Sequence, residues 1–353
     1  MMTMLDYIYE EKESLSSILA SRVEKNDLLP QKRFEKVSHL LILATGSSYN
    51  ACLSAKTALE SLGDVFVDIQ EPAHFEHYGR LSPAVDLVLA VSQSGKSAST
   101  IEAVRKMKKQ EVSTIALTSD PTSPLALETD QIIDLGIGIE TVGFVTKGYS
   151  ATVLQLILLG IDIGKSKHQL DEEREAAYLT ELQRIIDDLP RIIEQTERFF
   201  EANQSLFRLA KRFIAIGYGP NWGTAKEVET KFTETIREPS QGFELEAYMH
   251  GPYLEADTSH LLFFIDTNSE NSERLEKLNR YMSRFTGETF MVTTKKSSNE
   301  KDLSLDISCE ETVSVLALIV PFQLLAYRIA TAKGIDLNTK IFEDFDEVLK
   351  SKI

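Results

Sequence analysis

The sequence of 353 residues predicts an α/β protein made of two tandem doubly wound domains, each with a parallel sheet flanked by helices. Three observations lead to this prediction. Short apolar runs alternate with longer helical patterns, several of those runs end in small polar residues, and the same order of elements occurs twice along the chain. A chain of this length has room for two domains with separate cores.

The first half begins with a helical pattern over 4–34 and continues as alternating strands and helices. Apolar and β-branched runs predict strands at 40–46, 65–70, 87–95, 113–120 and 132–137. Helical periodicity predicts helices at 50–63, 97–110 and 148–164. The last of these is apolar all round, which is typical of a buried helix.

The second half repeats this order after a highly charged stretch, 166–205, that shows no strand pattern. Strands are predicted at 212–221, 260–271, 288–295 and 303–308, and helices at 222–238, 272–285 and 311–333. The matching order indicates an internal duplication, although few residues are identical. We therefore predict an N-terminal helical segment 1–34, a first domain 35–165, connecting helices 166–205, a second domain 206–335 and a tail 336–353.

The composition narrows the classes of binding partner and the cellular compartment that we expect. A net charge of −16 argues against nucleic acid or an anionic membrane as a general partner, but not against a small anionic substrate. The two cysteines, Cys52 and Cys309, fit a reduced compartment and are too few for a disulfide scaffold. The N-terminus lacks the pattern of a signal peptide, and the apolar runs 152–159 and 314–326 are too short or too interrupted for a membrane span. We expect a cytoplasmic protein.

Two small polar turns that follow first-half strands form a candidate phosphate site. They are Thr45-Gly46-Ser47-Ser48 and the six residues 92–97, SQSGKS. Hydroxyls and free backbone amides at a helix start suit an anion, but serine and threonine at these positions also commonly cap helices, so both interpretations stay open. Neither the Walker A pattern nor the dinucleotide-binding glycine pattern occurs, and we expect no cofactor.

A charged block at 226–252 offers acid–base chemistry. Glu227, Lys231 and Glu234 share one helix face, and His250 follows Glu234 by 16 residues. A carboxylate and an imidazole in one pocket form a general acid–base pair suited to moving a proton beside a carbonyl. The spacing also fits a solvated helix with intrahelical ion pairs and a loop histidine. The neighbouring Glu229, Glu238, Glu244 and Glu246 are expected to be solvated.

His74 and His77 stand three residues apart near Glu71 and Glu76, which could suggest a metal site. Because no further ligand cluster completes such a site, a surface or interface loop is the preferred interpretation. We expect no bound metal.

The segments GSSYNA (46–51), SQSGKSAST (92–100), GFVTKGYS (143–150), EVETKFTE…MHGP and GIDLN…LKSK together resemble the sugar isomerase (SIS) superfamily over nearly the whole chain. The resemblance is nearest to the isomerase half of the glucosamine-6-phosphate synthase family and to its stand-alone relatives, which include amino-sugar-phosphate deaminases and fructosamine-6-phosphate deglycases. It implies two flavodoxin-like SIS domains, a phosphorylated sugar as ligand, and a homodimer or larger homo-oligomer with shared active sites.

The resemblance also implies roles for individual residues. Contacts with the sugar phosphate fall on Ser47, Ser48, Ser92, Gln93, Ser94, Ser97 and Thr146. Glu234 matches the carboxylate that moves a proton between C1 and C2, and Glu227 and Lys231 match charged groups on the same helix. His250 matches a ring-opening histidine that the partner subunit supplies in this family. A C-terminal lysine forms an imine with the open-chain ketose there; because this tail is longer, Lys350 and Lys352 are both candidates.

Two departures from the family pattern narrow the expected function. Lys96 stands where the synthases have a glutamate, and Met2 and Thr3 stand where a glutaminase domain would need its catalytic cysteine. We therefore expect a phosphosugar isomerase-type enzyme, a deglycase or an isomerase/deaminase of an amino-sugar phosphate, that does not draw ammonia from glutamine. The alternative is a non-catalytic sugar-phosphate sensor or regulatory subunit. Such sensors usually carry a DNA-binding domain, for which the 34-residue leader is too short and too acidic.

Overall fold

A computed structural model describes residues 2–25 and 34–353, which divide into two units. The first-sheet unit comprises Glu13–Thr180 and Thr339–Ile353, and the second-sheet unit comprises Met1–Lys12 and Glu181–Asn338. Part of the predicted N-terminal helical segment, 26–33, lies outside the described residues. The described part of that segment forms helices α1 (Met4–Tyr9) and α2 (Glu11–Lys25).

The first sheet is parallel, with the strand order β2-β1-β3-β4-β5. Its strands are β1 (His39–Ala44), β2 (Phe66–Gln70), β3 (Leu87–Val91), β4 (Ser113–Thr118) and β5 (Gln131–Asp134). Its helices are α3 (Ser47–Gly63), α4 (Pro72–Tyr78), α5 (Ala98–Lys108), α6 (Pro124–Glu128) and α7 (Lys147–Ser166). The central strands β1 and β3 are buried except for the partly buried His39, as expected of a parallel sheet covered on both faces. Helix α7 is buried over nearly its whole length, as its apolar sequence predicts.

The second sheet is also parallel, with the order β10-β9-β8-β6-β7. After the long helix α8 (Glu172–Leu209) come the strands β6 (Arg212–Gly217), β7 (Ser240–Glu244), β8 (His260–Asp266), β9 (Glu288–Thr293) and β10 (Asp302–Ser304). The helices are α9 (Asn221–Thr235), α10 (Leu245–Met249), α11 (Ser272–Met282) and α12 (Val315–Ala332). Strands β6–β10 have the same topology as β1–β5, so the predicted fold class and duplication are confirmed.

An aromatic core fixes α9 against the second sheet. The ring of Phe232 on α9 lies 5.3 Å from that of Phe213 and 5.9 Å from that of Phe263, in edge-to-face contacts typical of aromatic pairs. Because Phe232 points to the sheet, the neighbouring Lys231 and Glu227 project from other parts of the same helix.

Helix α12 was predicted over 311–333 and is observed at Val315–Ala332. It continues through Pro321 to Ala332, and among residues 2–25 and 34–353 it is the single helix long and apolar enough to span a membrane. Some 78% of it is buried inside the protein, as in the core helix of a globular domain. The helix passes this test by length and composition alone, and its burial is that of a core helix.

Two local predictions were wrong. The segment around His74 and His77 is helix α4 rather than a loop; it begins at Pro72, a residue whose fixed φ suits the first helical position. The block 226–252 contains an edge strand, β7, that the sequence did not reveal. Gly242 lets β7 lie close to α9, because a Cβ atom there would be 2.1 Å from the carbonyl oxygen of Ala225.

Candidate functional site

The turn at 92–97, called the serine loop below, joins β3 to α5 at the carboxyl edge of the first sheet. The Gly95 amide donates to the carbonyl of Ser92 at 3.0 Å, which closes a tight turn. Gly95 has φ +64°, and a Cβ atom on it would lie 2.0 Å from Oγ of Ser123. Only glycine fits this position without moving its surroundings.

The side chains of the serine loop leave the start of α5 without a side-chain cap. Ser97 holds the N-cap position, but its hydroxyl accepts from Oγ1 of Thr100 at 3.0 Å and makes no capping bond to the backbone. Helix α3 likewise follows Gly46, which has no side chain to cap it. These residues therefore do not act as ordinary side-chain helix caps. The first-turn amides of α3 and α5 remain suited to an anion.

Burial differs among the predicted phosphate contacts. Ser92 and Gln93 are 6% and 8% exposed, Ser47 is also buried, and Ser48, Ser94 and Ser97 are half-buried. Among the described residues, Nε2 of the buried Gln93 has no hydrogen-bond partner. A buried donor of this kind costs free energy until an acceptor reaches it, so a ligand oxygen would stabilise this conformation.

Ser119 is a residue that the sequence reasoning missed. Its amide donates to the carbonyl of Gln93 at 2.9 Å, and its buried hydroxyl has no partner within the part of the chain that the structure describes. The signal was available, since Ser119 directly follows β4 just as Ser92 directly follows β3.

Thr146 is fully buried and immediately precedes α7. Its hydroxyl donates to the carbonyl of Phe144 at 2.9 Å, and its amide donates to Glu140 at 3.2 Å. Glu140 also accepts from the amide of Gly148 at 3.2 Å, so the protein's own carboxylate occupies the positive end of α7. A Cβ atom on Gly148 would lie 2.7 Å from Cγ of Gln93, which places this segment against the serine loop.

The C-terminal residues pair with the serine loop inside the first-sheet unit. Ser97 and Lys352 form an antiparallel bridge, and the amide of Ala98 donates to the carbonyl of Ser351 at 3.2 Å. The amide of Ile353 donates to the carbonyl of Lys96 at 3.0 Å. The short helix α13 (Phe345–Leu349) precedes this pairing.

The two candidate lysines of the tail differ in their surroundings. Nζ of Lys352 lies 3.2 Å from Oδ2 of Asp346, whose pKa is held below its usual value by hydrogen bonds from Ser351 and Lys352. Lys350 is exposed, has φ +50°, and makes no side-chain hydrogen bond or ion pair with any described residue. Lys350 is therefore the amine that a carbonyl can reach without breaking an ion pair.

Helix α9 of the second-sheet unit presents the predicted charged face. Nζ of Lys231 lies 2.5 Å from Oε2 of Glu234 and 3.6 Å from Oε1 of Glu227. The side chains of Lys231 and Glu227 are each 1% exposed, whereas that of Glu234 is 38% exposed. One ammonium thus contacts two carboxylates, and Glu234 is the carboxylate that a ligand can reach.

His250 ends α10 and is exposed. Within the described residues no hydrogen bond or ion pair joins it to Glu234 or Lys231. Gly251 follows with φ +139°, a conformation that only glycine adopts readily. The role of His250 in a partner subunit stays a prediction.

The glutamates expected to be solvated also have partners in the structure. Glu229 binds Lys226 and the amide of Gly242, and Glu244 accepts from the amide of Ala247 at the start of α10. Glu246 pairs with Arg274, and Glu238 pairs with Lys211 and Lys333. Glu246 stays about half exposed as expected, and the pairs of Glu238 and Glu246 join residues that are distant along the chain. In the described ranges no group of three or more His, Cys, Asp or Glu side chains is arranged to hold a metal.

The SIS domain family model matches residues 33–161 and 206–332 of this chain. The glutamine–fructose-6-phosphate aminotransferase (isomerizing) of Francisella tularensis is 27% identical over 351 residues, which is 95% of this chain and 57% of the relative. A crystal structure from Clostridium difficile 630, provisionally assigned as a phosphosugar isomerase, superposes with a TM-score of 0.88 at 27% identity and covers 99% of this chain and 98% of that one.

The C-terminal domain of glucosamine-fructose-6-phosphate aminotransferase from Francisella tularensis has the same fold, with a TM-score of 0.88, 24% identity, and coverage of 95% of this chain and 96% of that one. The chain spans just over half the length of the curated relatives it matches.

Proposed function

Because the chain belongs to the SIS domain family, we propose that it is a phosphosugar isomerase-type enzyme that acts at C1 and C2 of a ketose or amino-sugar phosphate. The observation that supports this most is the arrangement on α9, where the half-exposed carboxylate of Glu234 contacts the buried ammonium of Lys231. A protein that only binds a sugar phosphate needs the serine loop but has no use for a positioned carboxylate of this kind.

The serine loop is the proposed phosphate anchor. Hydroxyls of Ser92, Ser94 and Ser97 and the uncapped amides of α5 offer donors to a phosphate, and Nε2 of Gln93 supplies a buried donor without a described partner. Ser119 adds a hydroxyl directly beside Gln93. A neutral sugar would leave these donors unsatisfied, so specificity for the phosphorylated form is expected.

Glu234 is the proposed proton carrier. It takes the proton from C1 of the open-chain sugar and returns it to C2 through an enediol or enaminol, so that the substrate gains and loses one proton overall. The Lys231 ammonium keeps the Glu234 carboxylate in one orientation, and Glu227 balances that ammonium inside the protein. His250 assists ring opening by proton transfer, and in the proposed homodimer it serves the partner subunit.

Lys350 is the proposed imine-forming residue if the reaction proceeds through a Schiff base. Its amine would attack C2 of the open-chain ketose and release water, which requires an amine that is free of ion pairs and can lose its proton. Lys350 meets the first requirement, whereas the ammonium of Lys352 is bound to Asp346.

The test is a substrate panel that separates the finer activities. We would incubate the chain with fructose 6-phosphate, glucosamine 6-phosphate and a 6-phosphorylated Amadori compound, and measure aldose phosphate, ammonia and amino acid respectively. Release of amino acid identifies a deglycase, release of ammonia a deaminase, and interconversion of sugars an isomerase. If these compounds stabilised the protein and none of them were turned over, the result would contradict an enzymatic function. It would support the sensor or regulatory alternative.

The proposed dimer is tested by sedimentation. Sedimentation of the active protein should show a dimer or larger assembly, because His250 is proposed to complete the site of another copy. A fully active monomer would contradict that role of His250.

A further inference from the structure

A polar cavity of about 430 Å³ lies in the second-sheet unit, away from every residue assigned to the reaction. This volume is within the range of small-molecule sites. Its walls are one face of α11, one face of β9 and the segment 295–302 that leads into β10.

The cavity exists because the second repeat lacks a helix that the first repeat has. In the first repeat, α6 follows β4, and its Leu125 packs with Ile101 and Val104 of α5 and Ala116 of β4. In the second repeat, the connection 294–301 between β9 and β10 contains no helix. The space beside α11 and β9 that corresponds to α6 is therefore left to the cavity.

The walls carry mostly polar side chains, with Met291 of β9 as the apolar exception, whereas the surface that α6 covers in the first repeat is apolar. Helix α11 turns Glu276, Asn279 and Arg280 toward the cavity, at the i, i+3 and i+4 positions of one helix face. Strand β9 contributes Thr289 and Thr293, two residues of one face of the sheet. These side chains offer hydrogen-bond donors and acceptors, so the cavity suits a polar ligand.

The charges of the lining favour an anionic ligand. Four cationic and three anionic side chains face the cavity, although the whole chain carries a net charge of −16. Lys295 is bound by Glu276 at 2.8 Å, and Lys301 by Glu288 at 2.6 Å. Arg280 and Lys296 make no side-chain hydrogen bond or ion pair within residues 2–25 and 34–353, so they can bind an anion without losing another partner.

The remaining lining groups are suited to hydroxyls. Asp302 is half-buried and holds Ser297 at 2.6 Å and Asn299 at 2.9 Å, and burial raises the pKa of this carboxyl. A carboxylate fixed in this way accepts hydrogen bonds from ligand hydroxyls, and the threonine hydroxyls of β9 both donate and accept.

We propose that this cavity is a second binding site for a phosphorylated sugar. Arg280 and Lys296 bind the phosphate, and Asp302 with the β9 threonines binds the sugar hydroxyls. The site is separate from the serine loop, and the proposal does not depend on the reaction proposed above.

The test measures the number of glucose 6-phosphate molecules bound per chain by isothermal titration calorimetry. It compares the wild type with Arg280→Glu/Lys296→Glu and with Ser94→Ala/Ser97→Ala in the serine loop. Lys277→Glu/Arg198→Glu is the matched control, because it makes the same charge change at exposed positions outside the cavity. Thermal melting monitors the fold of each variant.

We expect two sites in the wild type and in the control. The cavity variant should weaken one site by about tenfold or more, since charge-assisted hydrogen bonds to the phosphate are lost and repulsion replaces them. The serine-loop variant should keep that site and weaken the other. A single wild-type site that only the cavity variant removes would support the cavity while contradicting the role of the serine loop.

Two results would overturn the proposal. One is a cavity variant that binds glucose 6-phosphate with the same number of sites and the same affinity as the control. The other is inorganic phosphate binding to the cavity as tightly as glucose 6-phosphate, which would show that the cavity does not recognise the sugar.

Discussion

Lys231 places its ammonium nitrogen 2.5 Å from Oε2 of Glu234, the exposed end of a chain of three charges that continues to Glu227 at 3.6 Å. The lysine and Glu227 are buried, and the Lys231 ammonium lies between the carboxylates of Glu227 and Glu234. Glu234 keeps contact with solvent and can exchange protons with a ligand. The arrangement joins a buried ion pair to a solvent-accessible carboxylate on a single helix.

Lys231→Met should lower the free energy of unfolding by about 3–5 kcal/mol, because it leaves the buried carboxylate of Glu227 without its cation. Lys226→Met is the matched control on the same helix; it removes a half-exposed ion pair with Glu229 and should cost about 0–1 kcal/mol. Urea unfolding of both variants measures the difference. Adding Glu227→Gln to Lys231→Met should recover part of the lost stability. Equal losses of stability in Lys231→Met and Lys226→Met would contradict the importance of the buried ion pair.

Lys350, rather than Lys352, should be the residue trapped by borohydride in the presence of fructose 6-phosphate. The amine of Lys350 has no described partner, whereas Lys352 is held by Asp346. Mass spectrometry of the reduced protein should show the sugar phosphate adduct in the wild type and in Lys352→Ala but not in Lys350→Ala. An adduct that disappears only in Lys352→Ala would reverse the assignment.

Gly95→Ala should damage the serine loop far more than Gly138→Ala. Both glycines have similar positive φ, +64° and +66°, so both substitutions carry the same backbone strain of about 1–2 kcal/mol. Only Gly95 also has a neighbour in the way, with Oγ of Ser123 at 2.0 Å from the added Cβ, while nothing lies within 4 Å at Gly138. Thermal melting and glucose 6-phosphate titration should therefore show the larger loss of stability and of phosphate binding for Gly95→Ala. Similar results for the two variants would show that the close contact is unimportant.

The two cysteines should react slowly with thiol reagents in the folded protein at pH 8. Burial raises the pKa of Cys309 to about 12 and also raises that of Cys52, and a raised pKa reduces the thiolate fraction at any pH below it. Ellman's reagent should modify both thiols only after unfolding in guanidinium. Rapid modification of one thiol in the native protein would contradict this.

The sheets were predictable because their central strands are almost wholly apolar and are separated by clear helical patterns. Strand β7 was not predictable, because its five residues include Gly242 and polar side chains. Pairing with β6 and contact with α9 hold it in place. Helix α4 was not predicted for a similar reason: the segment is short, and Pro72 is its one sequence signal for a helix start.

In the candidate site, too, some features were predictable from the sequence and others were not. The spacing of Glu227, Lys231 and Glu234 predicted a shared helix face, and their side chains do meet on α9. The pairing of Ser97 with Lys352 had no local signal, because the two residues are far apart along the chain. The roles assigned to these residues stay predictions that the experiments above address.

The most direct measurement follows solvent deuterium into the sugar at C1 or C2. The wild type would be incubated in D₂O with the compound of the panel that it turns over, and carbon-bound deuterium would be measured by NMR. Glu234→Gln should lower the rate of exchange and kcat by ~10²–10⁴-fold, with phosphate binding and thermal stability largely unchanged. Glu270→Gln, at an exposed glutamate of the same unit, should behave as the wild type. Exchange at the wild-type rate in Glu234→Gln would contradict the account.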